Sequence, residues 1–97
     1  MTELQQKIVL AAESLAVGEV VSFGDIAAKA GRPNASRAAG SVLAKSGDSL
    51  PWWRVVYSSG DLPACNPSLQ AERLADEGVQ LEGFRVIRSP LGRFAAP

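Results

Sequence analysis

The chain has 97 residues, 46% of them apolar and 21% charged, with no formal net charge. That length predicts a single domain over residues 1–97 with one core, and the composition fits neither a disordered segment nor a bilayer span. With no histidine and one cysteine, Cys65, the chain cannot build a Ser-His or Cys-His nucleophile, lacks the commonest zinc ligand and cannot close an internal disulfide.

The opening segment, Met1 to Lys7, lacks the basic-then-apolar order of an export signal, which together with the lone thiol predicts a reducing, cytoplasmic setting. Leu4, Ile8, Ala11, Ala12 and Leu15 then recur at helical spacing behind a candidate Thr2 cap, predicting a first helix that ends before Gly18. Val20 and Val21 read as a brief extended link. Ser22, with Asp25 three residues on, starts a short helix ending at Gly31, with Ile26, Ala27 and Ala30 on its inner face. Arg32-Pro33-Asn34 is a turn, with Asn34 as N-cap of a third helix that runs through Leu43 and stops near Gly47. Two short helices joined by a tight Gly-containing turn predict a helix-turn-helix.

On that third helix Ala38, Ala39, Val42 and Leu43 face inward, while Arg37, Ser41 and Lys45, four apart, share an outward stripe. Ala35 and Ser36 are small enough to let the helix start approach a sugar-phosphate surface. The zero net charge hides a segregation of signs. Lys29, Arg32, Arg37, Lys45 and Arg54 face Asp48 alone between residues 29 and 54, an excess of four positive charges, and the tail carries Arg85, Arg88 and Arg93 with no acid after Glu82. A basic centre of this kind is either a phosphate footprint or a solvated helix face.

Pro51-Trp52-Trp53-Arg54-Val55-Val56 sets two indoles and a guanidinium side by side, a grouping that suits a stacked base. Trp53 to Tyr57 has strand character and Ser58-Ser59-Gly60-Asp61 is a turn opening a wing-like loop to Asn66. Asn66-Pro67 begins a fourth helix with Leu69, Ala71, Leu74 and Ala75 for the core, ending at Glu77-Gly78. Phe84 to Arg88, a Ser89-Pro90-Leu91-Gly92 turn and Arg93-Phe94 form a terminal ribbon. The expected architecture is mostly α with a small β ribbon, of helix-turn-helix or winged-helix type.

The order of these signals resembles the C-terminal DNA-binding domain of the O6-alkylguanine-DNA alkyltransferases from Gly18 to Gly78. Gly18-Glu19-Val20-Val21-Ser22-Phe23 is similar to that family's Gly-Glu-Val-(Val/Ile)-Ser-Tyr, and Ser36-Arg37-Ala38-Ala39-Gly40 to its Ala-Arg-Ala-Val-Gly recognition helix. Ser58-Ser59-Gly60 and Glu77-Gly78 resemble the loop after its active strand and the end of its last helix. Pro51-Trp52-Trp53-Arg54-Val55 resembles its Pro-Cys-His-Arg-Val active site, with Trp52 in place of the alkyl-accepting cysteine and Trp53 in place of the histidine. Tryptophan at that cysteine is the mark of the alkyltransferase-like proteins.

The resemblance implies a non-enzymatic protein, needing no cofactor or metal, that recognises O6-alkylguanine in double-stranded DNA by nucleotide flipping. It shields the lesion and signals to nucleotide excision repair proteins such as UvrA. By the same resemblance Arg37 is the finger that fills the space of the flipped nucleotide. Phe23 replaces the tyrosine that helps rotate the 3′ phosphate and lacks its hydroxyl. Ala35, Ser36, Ser41 and Lys45 complete the DNA-binding set. Pro51, Trp52, Arg54, Val55, Ser58, Ser59, Gly60 and Leu62 are assigned to the lesion pocket, with Arg54 ordering the site from behind. Trp53 either joins this site or packs under the wing, and Glu77, without a histidine to polarise, becomes a hydrogen-bonding residue. A monomer, nucleoid-associated when bound to DNA, is expected. The competing reading is a winged-helix regulator that reads intact sequence with the Arg37, Ser41 and Lys45 stripe. An enzyme using Cys65 as acceptor fits least, since that thiol lies outside the motif.

Overall fold

The computed structural model describes residues 1–96; Pro97, the last residue of the single-domain reading, lies outside them. The chain divides into two compact units, one of Met1–Leu15 with Phe23–Trp52 and one of Ala16–Ser22 with residues 53–96. Among the described residues no helix is long and apolar enough to cross a membrane.

The first unit is three helices, α1 (Glu3–Glu13), α2 (Phe23–Lys29) and α3 (Ser36–Ser46), packed on one another. Thr2 caps α1 through a reciprocal box. Its hydroxyl accepts from the Gln5 N–H at 3.1 Å and the Gln5 side chain accepts from the Thr2 N–H at 2.9 Å, so two orphan donors of the first turn are satisfied. Ile8, Ala11, Ala12 and Leu15 are buried with Ile26, Ala27, Ala30, Ala39 and Leu43, as the helical periods predict. Gly31, at φ +90°, turns the chain out of α2, a conformation that costs a side-chain-bearing residue strain. The cap of α3 is Ala35 rather than Asn34, without a side-chain hydrogen bond. The Ala35 N–H is instead held by the Arg32 carbonyl at 2.9 Å, which closes the turn one residue later than the Asn34 signal implies.

The second unit carries the β structure. β1 (Glu19–Ser22) pairs in parallel with β2 (Val55–Val56) on one side and with β5 (Leu91–Gly92) on the other. Val20 and Val21 therefore belong to a central strand rather than a link. β3 (Gln80–Glu82) and β4 (Arg85–Arg88) make an antiparallel hairpin. The terminal ribbon thus pairs residues 80–82 with 85–88, and the Leu91–Gly92 segment, read as a turn toward Arg93-Phe94, crosses to β1. Gly92, at φ +86°, lies so close to the Val20 backbone that any β-carbon there would overlap it.

The expected strand over Trp53 to Tyr57 is shorter than its propensity suggests. A 3-10 turn occupies Trp52–Arg54 and only Val55–Val56 is extended. α4 (Pro67–Asp76) begins at Pro67 behind Asn66, and Leu74 enters the core, but Ala75 is exposed and Gln70 is buried in its place. Val20, Val56, Leu62, Leu74, Val79 and Val86 form the core of this unit, with Trp53, Ala71, Leu81 and Phe94 packed against it.

Candidate nucleic-acid interface

In the first unit, the helix-turn-helix stripe is presented as its spacing predicts. Ser36, Arg37, Ser41 and Lys45 are exposed on α3, while Ala39 and Leu43 anchor the opposite face and Ala35 is half-buried. Phe23 opens α2 half-buried, its ring beside α3, where a β-carbon on Gly40 would meet it at 3.8 Å. The chain then leaves α3 through a 3-10 turn, Gly47–Ser49, and the buried Leu50 to Pro51 and Trp52.

Trp52 is tied to the turn that precedes it. Its N–H donates to the Leu50 carbonyl at 2.8 Å, and its indole Nε1–H donates to Asp48 Oδ1 at 3.0 Å. Its side chain is half-buried. The Nε1–H is the one polar group of the indole, and that bond satisfies it at the ring edge.

Trp53 and Arg54 belong to the second unit and converge on a carboxylate. Glu77, at the end of α4, accepts from the Gly18 N–H at 2.8 Å, from Trp53 Nε1 at 2.7 Å, and from Arg54 Nε and Nη2 at 2.9 Å each. The Arg54–Glu77 ion pair retains only 12% and 11% side-chain exposure. Burial alone would raise the Glu77 carboxyl pKa. The Arg54, Gly18 and Trp53 hydrogen bonds and the charge of Arg54 outweigh that and hold it below its ordinary value. The Trp53 ring also lies 5.2 Å from the Arg54 guanidinium and 4.9 Å from that of Arg73, both within cation-π range. Trp53 is thus a member of a charged network in its own unit.

The remaining residues assigned to the pocket lie in the second unit. Val55 and Gly60 are buried, Leu62 is in the hydrophobic core, and Ser58 and Ser59 are exposed in the turn. Sequence reasoning missed Gln70. Its side-chain amide is buried and donates to the Trp53 and Val55 carbonyls at 3.1 Å each, stapling α4 to the segment that follows Trp52. A glutamine one turn before Leu74 on the inner face of α4 is the only signal it left. Asp48 likewise shows in the sequence only as a charge. Cys65 is exposed, and among the described residues no cluster of acids or thiols could hold a metal ion. An open groove of about 390 Å³ between Lys7, Leu10, Ser14 and Lys29 contains none of the predicted site residues.

The family model of the 6-O-methylguanine DNA methyltransferase DNA-binding domain matches residues 3–79. The DNA base-flipping protein of Escherichia coli K12 is 43% identical over 70 residues, 68% of this chain and 54% of the relative, so the chain spans about half the length of that relative. The DNA base-flipping protein of Vibrio parahaemolyticus is 35% identical over 68 residues, 66% of this chain and 68% of the relative. Among solved structures, S. pombe Atl1 bound to damaged DNA containing O6-carboxymethylguanine superposes with a TM-score of 0.74 at 30% identity, over 84% of this chain and 82% of that one. The Mycobacterium tuberculosis O6-methylguanine methyltransferase does so with a TM-score of 0.69 at 30% identity, over 79% of this chain and 49% of that one. Since the family model covers residues 3–79, well over half of the sequence, the chain belongs to the family of the 6-O-methylguanine DNA methyltransferase DNA-binding domain.

Proposed function

We propose that this protein recognises O6-alkylguanine in double-stranded DNA by flipping the damaged nucleotide, without transferring its alkyl group. It shields the lesion, acts as a monomer, and passes the lesion to nucleotide excision repair through a damage sensor such as UvrA. The observation that carries the reading is Trp52. It stands where the resemblance puts the alkyl acceptor, with its Nε1–H held by Asp48 at 3.0 Å. An indole has no thiolate to attack an O-alkyl carbon, and the chain has no histidine to activate one elsewhere.

The energetics are those of an exchange of stacking. Extruding a base costs a few kcal/mol, least for a poorly paired, damaged one, and an aromatic platform returns about 1–3 kcal/mol. Arg37, exposed on α3, supplies the group that fills the vacated position, and Lys45 on the same stripe adds a phosphate contact. Phe23 acts by bulk alone, since it lacks a phenolic hydroxyl. In this reading Glu77, bonded to Trp53 and Arg54, holds the backbone behind the Trp52 motif and moves no proton.

Titration with duplexes carrying O6-methylguanine or guanine at matched salt is the deciding measurement. The expected result is tighter binding of the lesion, a strong loss of that preference in Arg37→Ala, and no label on the protein after incubation with radiolabelled O6-methylguanine DNA. Equal affinity for the two duplexes, or stoichiometric labelling of Cys65, overturns the reading.

A further inference from the structure

The groove of the first unit, about 390 Å³ in volume, runs between α1 and the end of α2. Its floor is Ala11 and Ala30, each 4% exposed, and one wall is Leu10, which is 65% exposed. A single exposed leucine on a convex surface is ordinary, but this one lines a concavity with an alanine floor. A β-carbon at Gly31 would meet nothing within 4 Å, so the groove is open at that end. Two ammonium groups border the apolar surface, and among the described residues no acid lines it. Lys29 Nζ donates to Ser14 Oγ at 2.6 Å, and Ser14 Oγ donates to the Ala11 carbonyl at 2.7 Å, which fixes that charge at the C-cap of α1. The ammonium keeps further N–H donors for a carboxylate. Lys7 is paired with Glu3 at 3.2 Å, an i,i+4 contact at 53% and 82% side-chain exposure and so weak enough to be exchanged for another acid.

We propose that this groove docks an acidic, apolar-anchored segment of another protein. A large apolar side chain of the partner lies against Leu10 and the alanine floor, while flanking carboxylates meet Lys7 and Lys29. The proposal goes beyond lesion recognition and does not rest on it. Charge and polarity together select the class of occupant. A duplex offers phosphates to the lysines but nothing to cover Leu10, and a neutral peptide leaves both ammonium groups unanswered. Arg37, Ser41 and Lys45 do not line the groove, so it and the exposed stripe on α3 are distinct surfaces of one unit.

The probe is a displayed library of random dodecapeptides, selected on the immobilised full chain. Sequences that set Asp or Glu beside a large apolar residue are expected to be enriched, and the selected peptide is then titrated by anisotropy at matched salt. Leu10→Ser should weaken it about tenfold, the loss of one apolar contact surface. Lys7→Gln and Lys29→Gln should each weaken it about two- to fivefold, the scale of an exposed ion pair. Glu3→Gln removes the acid that competes for Lys7 and should tighten binding about twofold. Glu72→Gln, which removes an exposed acid from α4, should leave the affinity where it was.

No enrichment, enrichment of basic or uncharged peptides, full affinity in Leu10→Ser, or equal tightening in Glu72→Gln overturns the proposal. Displacement of the peptide by an O6-methylguanine duplex would give the groove to DNA, and a concentration-dependent dimer that Leu10→Ser abolishes would give it to a second copy of the chain; either outcome overturns it too. A failure to prefer O6-methylguanine over guanine removes lesion recognition and leaves the peptide result standing. Thermal melts of each variant check that the helices are retained.

Discussion

The Trp53 indole donates to Glu77 at 2.7 Å, and the same carboxylate bridges Arg54 and the Gly18 backbone. One acid at the end of α4 thus joins the start of β1 to the residues just before β2.

Replacing that acid exposes how much hangs on it. Glu77→Ala removes the carboxylate that pairs with a guanidinium of 12% exposure and accepts from the Gly18 and Trp53 N–H groups. A loss of about 2–4 kcal/mol is expected, because a partly buried charge stripped of its partner keeps its desolvation cost. Urea unfolding reads this directly, and a variant as stable as the wild type would show the network to be idle.

Acid should act through the same residue. The Glu77 pKa is held below its ordinary value of 4.5 in the folded protein, so the unfolded chain takes up a proton first. The network's stabilisation is therefore complete above the ordinary value and is lost as pH falls through the lower, folded one. Thermal melts taken downward from neutral pH should show a decline in this acid range that is shallower in Glu77→Gln. Parallel curves would remove Glu77 from the acid response.

The two tryptophans should separate by phenotype. Trp52→Ala is expected to weaken lesion binding by about 1–3 kcal/mol with little change in melting temperature. Trp53→Ala, losing its bond to Glu77 and its contacts with two guanidinium groups, is expected to cost about 2–4 kcal/mol of stability. Anisotropy titrations and melts on both variants decide this, and an exchange of the two effects would contradict it.

Gln70 offers a test of the backbone behind the motif. Gln70→Leu fills a similar volume but withdraws donors from the Trp53 and Val55 carbonyls, costing about 1–3 kcal/mol. Melting at the wild-type temperature would mean that the carbonyls find other donors without loss.

The helices of the first unit were legible because they rest on local signals: apolar period, Thr2, Gly31 and Gly47 all act within a turn or two. So was the Arg37, Ser41 and Lys45 stripe, which follows from a spacing of four. What escaped was non-local. The β propensity of Trp53 and Arg54 yields to a 3-10 turn whose Trp53 carbonyl accepts from Gln70, seventeen residues away. Leu91 and Gly92 read as a turn because nothing nearby in sequence announces that their partners are Glu19 and Val20. Asp48 and Gln70 are polar residues whose importance lies in single atoms that they reach, and hydropathy patterns do not encode such reach.

β5 has a consequence for where this domain ends. The family match stops at residue 79, yet Leu91 and Gly92 complete one flank of β1 by parallel pairing. A chain shortened to the matched boundary would expose the unpaired N–H and C=O groups of that flank, an invitation to intermolecular zippering. Leu91 and Gly92 therefore serve as a seam, and solubility should fail on cutting them away before recognition does.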